Sequence, residues 1–371
     1  MQAAQVVALN SQVLWASFLL SGLFGAVANR THFCTMGAVS DVVNMSDWTR
    51  MRQWGLAMGV SMIGFAVFAH LGVIDPTKVL YYSARWLWMS ALVGGLMFGF
   101  GMVLASGCGS KTLVRIGSGS LKSLIVLLVM GLSAFATLKG LGAVVRVASV
   151  DRVAVDFATA ASLPAWLGAA TGWPVTVAGL GLALCLGGAL MVWALIDAGF
   201  RTPDNLMAGL GIGGVVVAMW WVSAHLGHVL EHPLTLEETF LATNSGRAEA
   251  LSFVAPVAYT LDWIMFFSDQ AKVLTIGVVS VLGVMLGSWV YALVSRTFRW
   301  EGFGGTEDIA NHLVGALLMG VGGITAMGCT IGQGLSGLST LSATSVVALA
   351  SILAGAAAAL RYQVWRLSRL A

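Results

Sequence analysis

Charge is what this sequence has least of. Asp, Glu, Lys and Arg make up only 9% of its 371 residues, against about 25% in an ordinary soluble domain. Hydrophobic residues make up 58% and the mean hydropathy is +0.88. One chain cannot hide that much apolar surface from water, so lipid is the expected solvent. The net charge of +3 supplies no basic field for nucleic acid. Basic residues are also missing from the start of the chain. The first is Arg30, so the basic n-region of a signal peptide is absent, and the first apolar run is expected to stay as a membrane helix. The four cysteines are too few and too scattered for a disulfide framework. The lack of a C-x-x-C pair argues against a membrane thiol–disulfide oxidoreductase. The lack of a Walker A sequence, an H-E-x-x-H helix or a nucleophile elbow leaves nothing that suggests ATP hydrolysis or proteolysis. No intramembrane carboxylate stands out as a proton or sodium site, which leans toward a facilitated path.

Apolar runs are abundant. A spanning helix needs about 20 mostly apolar residues, and nine stretches qualify: 12–29, 52–73, 88–107, 122–142, 174–196, 206–229, 273–295, 309–328 and 342–360. The expected fold is therefore an all-α membrane protein forming a single domain over 1–371, with short interfacial helices. Residues 230–272 are too polar to span and read as an extramembrane excursion. Nine spans put the termini on opposite sides. Lys and Arg then sort twelve against six in favour of a cytoplasmic C-terminus, with Lys139 left near a helix end.

Glycine is the second abundance, with 46 residues. "LVGGLMFGFGMVLASGC" (92–108) aligns without a gap on "LVGALLMGVGGITAMGC" (313–329), and about half the positions are identical. Both copies end on a Gly-Cys step. A weaker echo pairs "ANRTHF" (28–33) with "VSRTFR" (294–299). The two long copies lie five spans apart and so cross the membrane in opposite directions. This is the signature of inverted-topology repeats, with halves of about 10–146 and 173–362. A Gly-rich break frees backbone N–H groups, which lipid tolerates only where protein or a water-filled cavity surrounds them. Such N–H groups suit an anion.

The cysteines need a separate reason. Cys185, within "LALCLGGAL", reads as a small packed side chain. Cys108 and Cys329 stand at the breaks in corresponding positions, and Cys34 follows Arg30, Thr31 and His32, where nearby cations favour a reactive thiol. Thiols could line a path for a sulfur-containing anion, held weakly enough to leave again. Soft sulfur ligands would also suit a soft metal, although no Met- or His-rich cluster accompanies them. His70 and His225 read as packing residues, Arg201 as an interfacial anchor, and Glu231, His232, Glu237 and Glu238 as a solvated cluster.

"GLFGAVANRTHFCTMGAVSD" (22–41), "ASGCGSKTLVRIGSGS" (105–120), "GFRTPDNLMAGL" (199–210) and "GCTIGQGLSG" (328–337) together resemble the YeeE/YedE family of bacterial inner-membrane proteins. The resemblance implies nine spans pinched like an hourglass with short re-entrant helices, thiosulfate as substrate, and a sulfur anion passed along Cys34, Cys108 and Cys329. It also implies a cytoplasmic TusA-like sulfurtransferase as partner, and leaves Cys185 without a counterpart. Arg30, Thr31, His32, Gly107, Gly109, Ser110, Gly328, Thr330, Gly332, Gln333 and Gly334 are expected to support the path. The expected protein is a transporter of the inner membrane with a periplasmic N-terminus. It is not expected to be an enzyme, and no cofactor or metal is expected. Two alternatives stay open: a persulfide relay to a cytoplasmic acceptor, and a selenium-compound or soft-metal transporter.

Overall fold

In lipid a backbone must satisfy its own hydrogen bonds, so a chain this apolar is driven to helix. The computed structural model describes residues 3–233, 235–269 and 272–370. The helices are α1 (Ala3–Arg30), α2 (Thr35–Met45), α3 (Thr49–His70), α4 (Trp88–Leu104), α5 (Gly109–Gly117), α6 (Leu121–Lys139), α7 (Leu141–Ala148), α8 (Leu163–Thr171), α9 (Val175–Leu195), α10 (Pro203–Leu206), α11 (Ile212–Trp221), α12 (Val254–Met265), α13 (Ile276–Val294), α14 (Thr306–Thr325) and α15 (Ala343–Leu370). Wider π-helical turns occupy Met207–Gly211, Val222–Leu226 and Gly332–Gly337. The strands are two short antiparallel pairs, Arg85–Trp86 with Val155–Asp156 and His228–Val229 with Thr239–Phe240. Among the described residues nine segments are long and apolar enough to cross a membrane. They coincide with the nine expected from sequence.

Four helix–break–short helix–helix units account for eight of these segments. The first is α1, α2 and α3; the second is α4, α5 and α6. The third runs 203–226, then α12 and α13. The fourth is α14, the short helix 330–339 and α15. Their contacts come in pairs. Helix α1 packs on α13 as α3 packs on α11, and α4 packs on α15 as α6 packs on α14. Helix α2 meets α15 as α12 meets α6, and α5 meets α13 as Gly332–Gly337 meets α3. A pseudo-two-fold that exchanges units one and three, and units two and four, generates every pair. Helix α9 lies on α3 and has no counterpart.

The axis of that two-fold passes between α4 and α14, and glycine is the reason these helices can touch. A Cβ on Gly94 would stand 2.4 Å from the Ala326 nitrogen, and one on Gly322 2.6 Å from the Gly94 oxygen. The symmetry mates repeat the contact: a Cβ on Gly101 would lie 2.6 Å from the Gly315 oxygen, and one on Gly315 2.6 Å from the Gly101 oxygen. Between helices in lipid such close approach replaces the missing hydrophobic drive.

Two expectations change. Residues 230–272 do not all lie outside the bundle, because α12 packs between α6 and α13. The echo between 28–33 and 294–299 is not a structural equivalence. The first stretch ends the leading helix of unit one, while the second ends the closing helix of unit three.

Candidate functional site

Three of the four breaks are built alike, and each holds a cysteine. The leading helix stops in a left-handed residue: His32 (φ 52°), Ser106 (φ 55°) or Met327 (φ 56°). The next amide reaches five residues back, Phe33 N to Ala28 O (3.2 Å), Gly107 N to Met102 O (2.8 Å) and Gly328 N to Gly323 O (2.8 Å). This is the Schellman closure, which satisfies carbonyls that a helix end would otherwise orphan. Remaining carbonyls are braced by side chains. Arg115 donates to Ser106 O at 2.8 Å. Gln333 donates to Ala326 O at 2.8 Å and Met327 O at 2.9 Å, while Ser345 Oγ donates to its Oε1 at 2.6 Å. Gln333, expected along the path, therefore spends its side chain on holding the break open.

One residue past each closure comes the cysteine, and it caps the short helix. The Cys34 sulfur accepts from Gly37 N at 3.5 Å, and the Cys329 sulfur from Gly332 N at 3.4 Å. Serine, threonine or aspartate usually does this. Here sulfur takes the role and so sits at the positive end of a helix. The Cys108 thiol turns to Ser110 Oγ at 3.3 Å.

The fold brings the three caps together. Cys34 is 5% exposed, Cys108 and Cys329 0%. The Cys34 and Cys108 thiols neighbour and act on each other, and Cys108 acts in turn on Cys329. The Thr330 hydroxyl lies beside the Cys108 sulfur, within hydrogen-bonding reach of it. The thiols thus form a row rather than a cage. Among the described residues no three His, Cys, Asp or Glu side chains are grouped to hold a metal ion. Cys185 faces outward on α9.

A polar cavity lies at one end of the row, and packed polar side chains lie at the other. On one face a cavity of about 360 Å³ is lined by Asn29, Arg30, His32, Lys111, Arg115 and Arg299 among others. Lys111 is close enough to Cys34 and Cys108 to act on both electrostatically. Arg30 also pairs with Asp204 at 3.1 Å. Thr31 donates its hydroxyl to Val27 O at 2.8 Å and so serves the helix end. The polar side chains at the opposite end come from loops that sequence reasoning left aside. Tyr81 Oη donates to Gly332 O at 2.6 Å, and the Ser252 side chain packs against the bare face of Gly332. Glu249 accepts from Ser245 N at 2.9 Å, and burial pushes its carboxyl above the ordinary range. Burial likewise pushes the Tyr81 phenol up. Gly334 packs against Leu349 and Trp54.

A family described as sulphur transport matches residues 30–358. The chain belongs to the sulphur transport family. It is 28% identical over 332 residues to the thiosulfate transporter TsuA of Escherichia coli K12, covering 86% of this chain and 87% of the relative. It is 27% identical over 353 residues to TsuA of Spirochaeta thermophila, covering 91% and 94%. The probable transporter YedE of E. coli K12 shares 32% identity over 116 residues, or 31% of this chain and 27% of the relative. The protein is a multi-pass membrane member of a family of sulfur-compound transporters.

Proposed function

We propose that the protein is not an enzyme but imports thiosulfate, or a closely related small sulfur anion, across the bacterial inner membrane along Cys329, Cys108 and Cys34. The row of buried thiols at three helix starts, next to the basic cavity, carries this reading. Thiosulfate is a dianion with one soft, weakly hydrated sulfur end. First-turn N–H groups attract its charge, and thiols touch its soft end without trapping it. On the far side Lys111 and the basic cavity draw it onward. The distribution of Lys and Arg supports a direction. Arg30, Arg50, Arg52, Lys111, Arg115, Lys122, Arg201, Arg296, Arg299, Arg361, Arg366 and Arg369 belong to the cavity's face, so that face is cytoplasmic and the N-terminus is periplasmic. A TusA-like sulfurtransferase receiving the anion would dock on that arginine-rich face.

Uptake of radiolabelled thiosulfate into cells lacking their own importers tests the reading. Wild type and Cys185→Ser should take it up. Cys34→Ser, Cys108→Ser and Cys329→Ser, inserted at equal levels, should not. Normal uptake by all three would sink the thiol path. A sulfur adduct on one cysteine, seen by intact mass, would replace transport with a persulfide relay.

A further inference from the structure

Three caps are cysteine, but there are four units. The fourth cap is Phe253. Its carbonyl accepts the first helical hydrogen bond of α12, from Val257 N at 3.3 Å. The three cysteine carbonyls do the same for Ala38 (3.0 Å), Thr112 (2.9 Å) and Gln333 (2.8 Å). Sequence could not pair Phe253 with them. Units one, two and four reach the cap within four residues of the leading helix, whereas unit three interposes the segment 227–252.

Phe253 is 0% exposed and stands where the other units meet. Its ring centroid lies 5.5 Å from that of Phe24 in unit one. Its Cβ is 3.8 Å from where a Cβ on Gly109, the first residue after Cys108, would be. Its amide lies beside the Cys329 sulfur in unit four. The helix starts at the thiols and Lys111 beside them are arranged to suit an anion. A phenyl ring is not, and it occupies the one position of four where the pseudo-symmetry would put another thiol.

We infer that Phe253 is the gate of the path: its ring seals the pinch between the Tyr81–Ser252 approach and the Lys111 cavity, and its displacement admits the anion. This rests on the proposed transport of a small sulfur anion and adds a selectivity to it. An apolar constriction bars hydrated ions by dewetting. Sulfate presents only hard, strongly hydrated oxygens and must shed water against the ring. Thiosulfate leads with its polarisable sulfur, which aromatic edges accept favourably. The ring and the thiols together make a soft filter in which the ring excludes sulfate.

Two measurements on Phe253→Ala and Phe253→Leu test this. The first asks whether a membrane-impermeant thiol reagent, added from the Tyr81 side, reaches Cys108, read by peptide mass. Wild type should stay unmodified, Ala should react readily and Leu more slowly. The second is uptake of radiolabelled thiosulfate against radiolabelled sulfate. The ratio should fall about tenfold or more in Ala and less in Leu. Correctly inserted variants that protect Cys108 as wild type does would overturn the gate. If Ala fails to insert, Leu alone decides, because it keeps the core filled and removes only the ring. If wild type carries no thiosulfate, the proposed substrate falls, while reagent access still decides whether Phe253 closes the path.

Discussion

At the level of single residues, the cysteines have a capping role in the structure and a path role in the proposed function, and a substitution can separate the two. As caps, Cys34 and Cys329 bind first-turn amides, a role serine fills well and alanine fills badly, at a cost of about 1 kcal/mol. As residues of the proposed path they would offer a soft sulfur that serine lacks. Serine variants should therefore keep the wild-type melting midpoint in detergent, and alanine variants should lose a few degrees. Both should lose uptake. Melting that drops equally in the two series would show that sulfur packing, and not capping, holds the break. Glu249 supplies a pH dependence with a definite sign. Its folded-state pKa is raised by burial, so the native protein holds this proton more tightly than the unfolded chain. That stabilisation is complete below the unfolded value of about 4.3 and is lost as pH rises through the folded value. Tyr81 and Tyr259 are the titratable groups that feel its charge. Glu249→Gln still accepts the Ser245 bonds and cannot ionise. Its melting midpoint should match wild type at pH 4 and exceed it above the folded pKa; a constant difference across pH would refute the assignment.

At the level of elements, the breaks are cooperative devices: a left-handed stop, a brace and a capped restart. Met327 adopts its left-handed φ without being glycine, which costs roughly 1–2 kcal/mol, and its side chain is 42% exposed. Met327→Gly should raise the melting midpoint, and Met327→Val should lower it. Local composition made the breaks legible, because a Gly-Cys step at the end of an apolar run announces a helix that stops and restarts. The thiol row was legible only as an expectation. Nothing local told that Cys34 and Cys108, 74 positions apart in sequence, would lie side by side. The Tyr81 side of the site was missed altogether. Tyr81, Glu249, Ser252 and Phe253 sit in polar or mixed stretches that hydropathy assigns to loops, and their burial comes from neighbours that hydropathy does not see. Gln333 was singled out as supporting the path and its backbone, but a sequence shows an amide without showing which carbonyls it braces.

For the molecule as a whole, one half of the pseudo-symmetry could be read and the other could not. Units two and four share the glycines that let α4 and α14 cross, so steric need preserved a visible pattern. Units one and three share only packing, and the segment 227–252 separates them further. The same symmetry gives the two sides of the bundle matching backbone breaks, so backbone geometry alone does not set which way the protein sits. The proposed orientation rests instead on charge. Twelve of the 19 Lys and Arg residues lie toward the face of the Lys111 cavity, and the acidic residues do not follow them: Asp75, Asp151, Asp156, Glu231, Glu237, Glu238, Glu249, Asp262 and Asp269 all belong to the other face. A fluorescent protein fused after Ala371 should thus light up in the cytoplasm. Moving charge should move the protein: replacing Arg361, Arg366 and Arg369 by glutamine while adding lysines to the 71–87 loop should weaken or invert that insertion. A fusion that stays dark on the otherwise unaltered, active protein would reverse the faces. It would then make the basic cavity the mouth of the path and the Tyr81 approach its exit.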